Sequence, residues 1–344
     1  MNKTEIKKWI KKNKVLFLTN PYSVKDEIYK TSFSTYMDYV PTENINIVEG
    51  IQNNRKIYNI HVFYTMIKKT YNPNDNLSKF DYIIYIDEDC FITDFETMLE
   101  EFKRFMTKDQ TISGVPDGGS CCHRSNHHNL INTFFSFWNL KLIRETVDLE
   151  ELEKYVYKYI GNSWYSVSPT GYIDFVNDML SSMDTKILFY TLNKNADRQF
   201  LKMEKYRVDN YGKKLSPYAE FIKDDPAHPS KKRQNPYTYL DVLGRDIQFN
   251  EEPYYALEQA LLMTSKKLIG FLNATDSYDP NLPAMCEETD NTGCSTMVMD
   301  ENFKPFAIHT WYTRHYKKNP KTPFQVRHTN RIDRIINYIK NKNQ

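Results

Sequence analysis

Short apolar runs alternate with helix-period stretches over the first third of the chain. Val15–Leu18, in KVLFLTNPY, is an apolar run closed by the Asn20-Pro21 turn signal, and it predicts a buried first strand. A second run, INIVEG, ends at Glu49 and Gly50. In YNIHVFYTMIKKTY the apolar residues Ile60, Phe63, Ile67 and Tyr71 fall on one helical face. DYIIYID (81–87) then predicts a third strand, apolar on both faces. Strand, helix and strand in this order predict a βαβ unit with a parallel sheet.

Further on, TMLEEFKRFM predicts a helix, and TISGVPDGGS a strand running into a glycine-rich turn. NTFFSFWNLKLIRE reads as strand-like. The stretch 148–250 is mixed in pattern and is expected to be an inserted, acceptor-side elaboration, with DDPAHPSKKRQNP as a loop near its end. NEEPYYALEQALLMTSKKLIGFL predicts a helix with Pro253 near its first turn and acids at its positive end. FAIHTWY predicts a late strand, and 325–344 a terminal helix. The expected fold class is α/β: one catalytic domain over 1–344, its mainly parallel central sheet flanked by helices.

Charge narrows the picture only slightly. Forty-six Lys and Arg against forty-four Asp and Glu leave a net charge of +2, so the overall balance demands neither nucleic acid nor an anionic membrane. Twenty-six Tyr and twenty Phe beside only ten Gly fit the codon bias of an AT-rich genome better than an aromatic stacking platform. Five Cys, at 90, 121, 122, 286 and 294, lack paired CxxC spacing and fit a reducing compartment. The Val15–Leu18 run is too short for a signal peptide or a span, and nothing else approaches eighteen apolar residues, so the expectation is a soluble, cytoplasmic protein without a membrane span.

The sharpest chemical signal is at the end of DYIIYID, where Asp87, Glu88 and Asp89 follow one another. Ligands of parallel α/β sheets collect at the carboxyl ends of strands. Asp87 and Asp89, two apart on an extended chain, share a face, whereas Glu88 points the other way as a pairing or solvated acid. Two close carboxylates repel unless a cation is shared between them. Mg²⁺ or Mn²⁺ suits such oxygens and leaves positions free for phosphate. A solvated loop is the plainer reading of a generic Asp-x-Asp. The apolar CFI that follows argues against it, since it pins the acids at a buried edge.

YIIYIDEDCFI resembles the DxD strand of GT-A type glycosyltransferases, whose acids hold a metal ion on the diphosphate of a nucleotide sugar. INTFFSFWNLKLI resembles the strand that follows, with Asn132 and Thr133 but Phe134 where that pattern has glycine. Glu251 and Glu252 stand where the family carries an acidic pair near the reacting sugar. His309, ending FAIH, resembles the late histidine that completes the metal shell.

The resemblance implies a Rossmann-like GT-A fold, a nucleoside-diphosphate sugar donor with a UDP-sugar foremost, and Mn²⁺ or Mg²⁺ at Asp87, Asp89 and His309. It implies base and ribose contacts at Thr19, Asn20 and Pro21, and a base-reading acid at Glu49. Turn residues and a solvated acid are the plainer reading of these four. Arg55 would pair with a phosphate or be an exposed helix residue. Glu251 or Glu252 would be the base of an inverting enzyme, or would stabilise the sugar cation of a retaining one. Acids favoured by a helix dipole explain the same pair without chemistry. In VPDGGSCCHRSNHHN, Asp117, His123, Arg124, His127 and His128 would grip sugar hydroxyls, the diphosphate or an acceptor phosphate; a zinc site on Cys121, Cys122 and the His residues and a merely polar loop are the alternatives. The whole resembles bacteriophage glycosyltransferases, which sets the expected location as host cytoplasm. The expected acceptor is a hydroxymethylated base in phage DNA, with cell-surface or cell-wall glycan as the rival. A sugar nucleotidyltransferase and a non-catalytic binding module are the further alternatives.

Overall fold

The computed structural model describes residues 1–48, 51–52, 55–56, 59–116, 129–160, 169–211, 238–240, 246–248, 254–276, 295–310, 316 and 323–342. In chain order the elements begin with α1 (Lys3–Lys12), β1 (Val15–Thr19), α2 (Glu27–Ser34) and β2 (Ile45–Ile47). A two-stranded ribbon, β3 (Ile51–Gln52) and β4 (Arg55–Lys56), precedes α3 (Asn59–Thr70). Then come β5 (Tyr82–Ile86), β6 (Cys90–Ile92), α4 (Phe95–Met106), β7 (Gln110–Pro116) and β8 (Ile131–Asn139). Four helices follow: α5 (Leu140–Thr146), α6 (Leu149–Ile160), α7 (Pro169–Leu180) and α8 (Met183–Tyr211). A second ribbon, β9 (Thr238–Leu240) and β10 (Asp246–Gln248), leads to α9 (Tyr254–Ser265) and β11 (Leu268–Phe271). The chain closes with β12 (Asn273–Asp276), β13 (Ser295–Met299), β14 (Pro305–Thr310) and α10 (Pro323–Lys342).

Six strands form the central sheet in the order β11-β7-β8-β5-β1-β2. β1 pairs in parallel with β2 and β5, and β11 with β7, while β8 runs against both of its neighbours. The expected mainly parallel sheet is therefore present, with one reversed strand. Side-chain alternation explains why β1 and β5 read as unbroken apolar runs, for each buries both faces. Leu16, Leu18, Ile83 and Tyr85 join a core shared with α3, α5, α6, α7 and α9. Val15, Phe17, Ile84 and Ile86 join a second core with α1, α4 and a smaller sheet.

That smaller sheet is antiparallel, in the order β12-β13-β14-β6. Its outer side meets α2 and α10 through Ile28, Phe91, Ile308, Ile332 and Ile336. Chain starts are capped as local chemistry dictates. Asn2 Oδ1 accepts from the Glu5 amide and Glu5 Oε2 accepts from Asn2 N, a reciprocal box at α1. Asp94 Oδ1 accepts from the Thr97 amide at α4.

Several expectations are corrected. The strand-like reading of 132–145 fails beyond Asn139, whose Oδ1 accepts from the Leu142 amide and starts α5. The expected helix through 272 stops at Ser265, because Lys266 adopts a left-handed φ of 55° and β11 follows. Arg55 lies in the β3–β4 ribbon rather than a helix. In the mixed-pattern stretch, α6 and α7 pack into the main core. No helix among the described residues is long and apolar enough to cross a membrane.

Candidate active site

From β1 the chain goes first to β2 on one side and then crosses to β5 on the other. This reversal makes the carboxyl ends of β1 and β5 a topological switch point, the place where open α/β sheets form a crevice for ligands. Thr19, Asn20 and Pro21 leave one wall, all three buried. Asp87, Glu88 and Asp89 leave the other. Glu88 Oε2 accepts from the Tyr22 amide at 2.6 Å, tying the two walls together. Tyr22 itself is 55% exposed beside this tie, an aromatic that the sequence pattern did not single out.

The acid triplet is a tight reversal between two sheets. The Asp87 amide donates to Phe134 O at 2.9 Å, which keeps it in the central sheet, and the Cys90 amide donates to Asp87 O at 3.2 Å. β6 then enters the smaller sheet with Cys90 opposite His309. Thr310 N donates to Asp89 O at 3.0 Å, so the register of β14 delivers His309 to Asp89. His309 Nε2 stands 3.1 Å from Asp89 Oδ1, with both residues buried. The imidazole also stacks on Phe134, centroids 4.0 Å apart and planes within 2°. Phe134, the residue that departs from the glycine of the family pattern, thus serves as the platform for the histidine.

Electrostatics show the strain of gathering the acids. Burial pushes the Asp87 carboxyl well above the usual carboxylate range, and the charges of Asp89 and Glu88 push it further. The Glu88 amide and the Tyr85 hydroxyl both donate to Asp87 Oδ1, at 2.9 and 3.3 Å, which offsets only part of this. Glu88 is pushed up to about 7, first by burial and then by Asp89. Cys90, a buried free thiol, is likewise held protonated by burial and the neighbouring carboxylates. A divalent cation would relieve this crowding. Among the described residues no three His, Cys, Asp or Glu side chains converge as a ready metal site. Two carboxylates with oxygen ligands from a diphosphate and water fit Mg²⁺ or Mn²⁺, which need no all-protein cage.

Other expected residues divide. Asn132 is buried at the start of β8, where its Oδ1 accepts from the Phe134 amide at 3.3 Å. Glu49, Asp117, His123, Arg124, Glu251 and Glu252 lie outside the described residues, as do Cys121, Cys122, His127 and His128, and of Arg55 only the backbone is described. One acid was missed. Glu258, on α9, is buried and accepts from the Ile131 amide at 2.9 Å, anchoring the strand that carries Asn132 and Phe134. A carboxylate inside the apolar stretch YYALEQALLM was its only signal. Beside it, Asn129 Nδ2 donates to Asn193 Oδ1 at 2.7 Å, so α8 also braces the entry to β8.

No protein-family model matches this chain. No curated protein matches it either. Among solved structures, the chain is similar over 44% of its length to a glycosyltransferase involved in the glycosylation of the major capsid of PBCV-1, covering 68% of that chain at 12% identity with a TM-score of 0.29, a likeness too slight to carry an argument.

Proposed function

We propose that this chain is a metal-dependent GT-A type glycosyltransferase that moves a sugar from a nucleoside-diphosphate donor, foremost a UDP-sugar, to an acceptor hydroxyl. The observation that supports this most is the contact of His309 with Asp89 at 3.1 Å, two residues from the buried Asp87 at the carboxyl end of β5, where the chain order reverses between β1 and β5. Asp87 and Asp89 would hold Mn²⁺ or Mg²⁺, which supplies Lewis-acid neutralisation of the leaving diphosphate. His309, bonded to Asp89 and stacked on Phe134, would fix the orientation of that carboxylate or join it as a ligand. Glu88 would hold the β1 exit loop in place through the Tyr22 amide, with Thr19, Asn20 and Pro21 forming the nucleoside side of the crevice. Glu251 or Glu252 remains our proposal for the carboxylate at the reacting sugar, and a hydroxymethylated DNA base for the acceptor, with cell-surface glycan as its rival.

A panel of nucleotide sugars in thermal-shift assays, with and without Mn²⁺, tests the donor and the metal together. A donor at a hundred times its Kd stabilises a protein by about 2.7 kcal/mol. The expected result is stabilisation by one nucleotide sugar only when Mn²⁺ is present, lost in Asp87→Ala and Asp89→Ala. Metal-independent stabilisation, or transfer that survives in both variants, would overturn the reading. Release of pyrophosphate from a nucleoside triphosphate and a sugar phosphate would assign the site to a nucleotidyltransferase instead.

A further inference from the structure

Of the twelve large apolar side chains that stand exposed among the described residues, eight lie on α6, α7 and α8. The densest group is the tip of the α7–α8 hairpin. Leu180 ends α7, Met183 begins α8 after Ser181 and Ser182, and Ile187 and Tyr190 follow at one-turn intervals. Met183 is 69% exposed, the highest value of the twelve. The same outward stripe continues as Lys194, Arg198, Leu201, Lys205 and Val208, at spacings of three and four. The opposite stripe of α8, including Phe189, Leu192, Ala196 and Met203, is buried. An ordinary surface helix would carry polar groups outside. This stripe carries apolar and basic ones, with Asp184 and Asp209 beside it.

Beside the tip lies a groove of about 490 Å³, with Ile187 and Thr191 on one wall and Lys266, Lys267 and Leu268 on the other. Lys266 occupies the left-handed position at the end of α9, φ 55°, where glycine is the ordinary residue. Lys267 pairs with Asp109 at 2.7 Å, and on α7 Asp178 pairs with Lys158 at 2.7 Å. Around the tip, Asp184 and Asp174 stand against Lys186, Lys194, Arg198 and Lys266, while farther along α8 Lys205 pairs with Asp209 at 2.7 Å and Glu204 is half-buried. Basic charge therefore prevails at the tip.

We propose that this pole docks on an anionic lipid surface. Leu180, Met183, Ile187 and Tyr190 enter the interface while the bases meet headgroup phosphates. Apolar residues flanked by Lys and Arg on one helical face are the chemistry such surfaces select. A second copy of the chain fits worse. Antiparallel pairing of two α8 helices about their middle brings Lys194 and Arg198 of the two copies together, and parallel pairing sets each against its own kind. Asp109 and Lys267 immediately precede β7 and β11, so the groove is at the amino ends of strands that run parallel to β5. The acid triplet is at the carboxyl end. Docking therefore leaves the crevice open and stands independently of the transfer reaction.

Co-sedimentation of the full chain with vesicles of phosphatidylcholine, alone or with phosphatidylserine, tests this. The expected result is association with the anionic vesicles that falls as salt rises. Lys194→Ala with Arg198→Ala should lower it on the order of twentyfold, and Met183→Ser with Ile187→Ser about tenfold. A control pair on α1, Lys8→Ala with Lys12→Ala, should leave it within about twofold. Asp87→Asn should bind vesicles as wild type does, which separates this test from that of donor binding. Equal binding to neutral vesicles, equal losses in the control pair, or a concentration-dependent dimer in light scattering without vesicle binding would overturn the proposal.

Discussion

Replacing Glu88 by Gln should stabilise the metal-free protein by an amount that grows from about pH 4.5 and is complete above about pH 7. The folded carboxyl is pushed up to about 7 from an ordinary value near 4.5, by burial and by the charge of Asp89. Between these values the folded protein keeps the Glu88 proton while the unfolded chain gives it up. The unfolded state then binds fewer protons, so this group's contribution to stability is fully present below about pH 4.5 and is lost as pH rises through about 7. A displacement of that size corresponds to about 3 kcal/mol, and partial exposure of the side chain reduces it to about 2 kcal/mol. Gln keeps an oxygen for the Tyr22 amide, so the 2.6 Å tie across the crevice has an acceptor in the variant. Chemical denaturation in chelator should show the variant equal to wild type at pH 4.5 and more stable by about 2 kcal/mol at pH 8. Added Mn²⁺ should narrow the gap, because a cation at Asp87 and Asp89 offsets the charge that Glu88 feels. A variant less stable than wild type at pH 8, or a difference independent of pH, would refute the account of strain at this turn.

Three other perturbations test separate parts of the structure. His309→Ala should weaken Mn²⁺ binding about 10- to 100-fold by freeing the Asp89 carboxylate, whereas His309→Phe, which can still stack on Phe134, should recover thermal stability but not metal affinity. Gly171→Ala should destabilise the protein by about 3 kcal/mol in urea titrations, since a Cβ there would stand 1.9 Å from the carbonyl oxygen of Tyr159 on α6. Phe102→Ala should cost about 3–5 kcal/mol by the same assay, because this fully buried ring meets Trp9, Tyr82, Phe105 and Phe137.

The parts of the fold legible in the sequence are those whose burial is simple. β1 and β5 are covered on both faces, so they appear as unbroken apolar runs, and the turn residues after them mark the strand ends. α5 was hidden because Leu140 and Ile143 continue the apolar pattern of β8, and the change to helix rests on one Asn139 cap. In the smaller sheet β14 was legible as FAIHTWY, but β12 and the start of β13 were hidden for the opposite reason. Thr275, Ser295 and Thr296 are fully buried there, so these segments look polar in sequence. Glu258 escaped notice because its partner, the Ile131 amide, is 127 residues away.

The same contrast explains the candidate site. The acids were legible from their own strand, but what holds them is not in that strand. Asp87 is fixed by the main chain of β8, through Phe134, and Asp89 by the main chain of β14, through Thr310. Each acid thus belongs to a different sheet, and the three-residue reversal between β5 and β6 is the joint. Phe134 and His309, stacked face to face, close that joint from the two sheets at once. A glycine at 134 would leave the imidazole without this platform. In this chain the orientation of His309, and through it of Asp89, therefore depends on the residue at which the sequence departs from the family pattern it resembles.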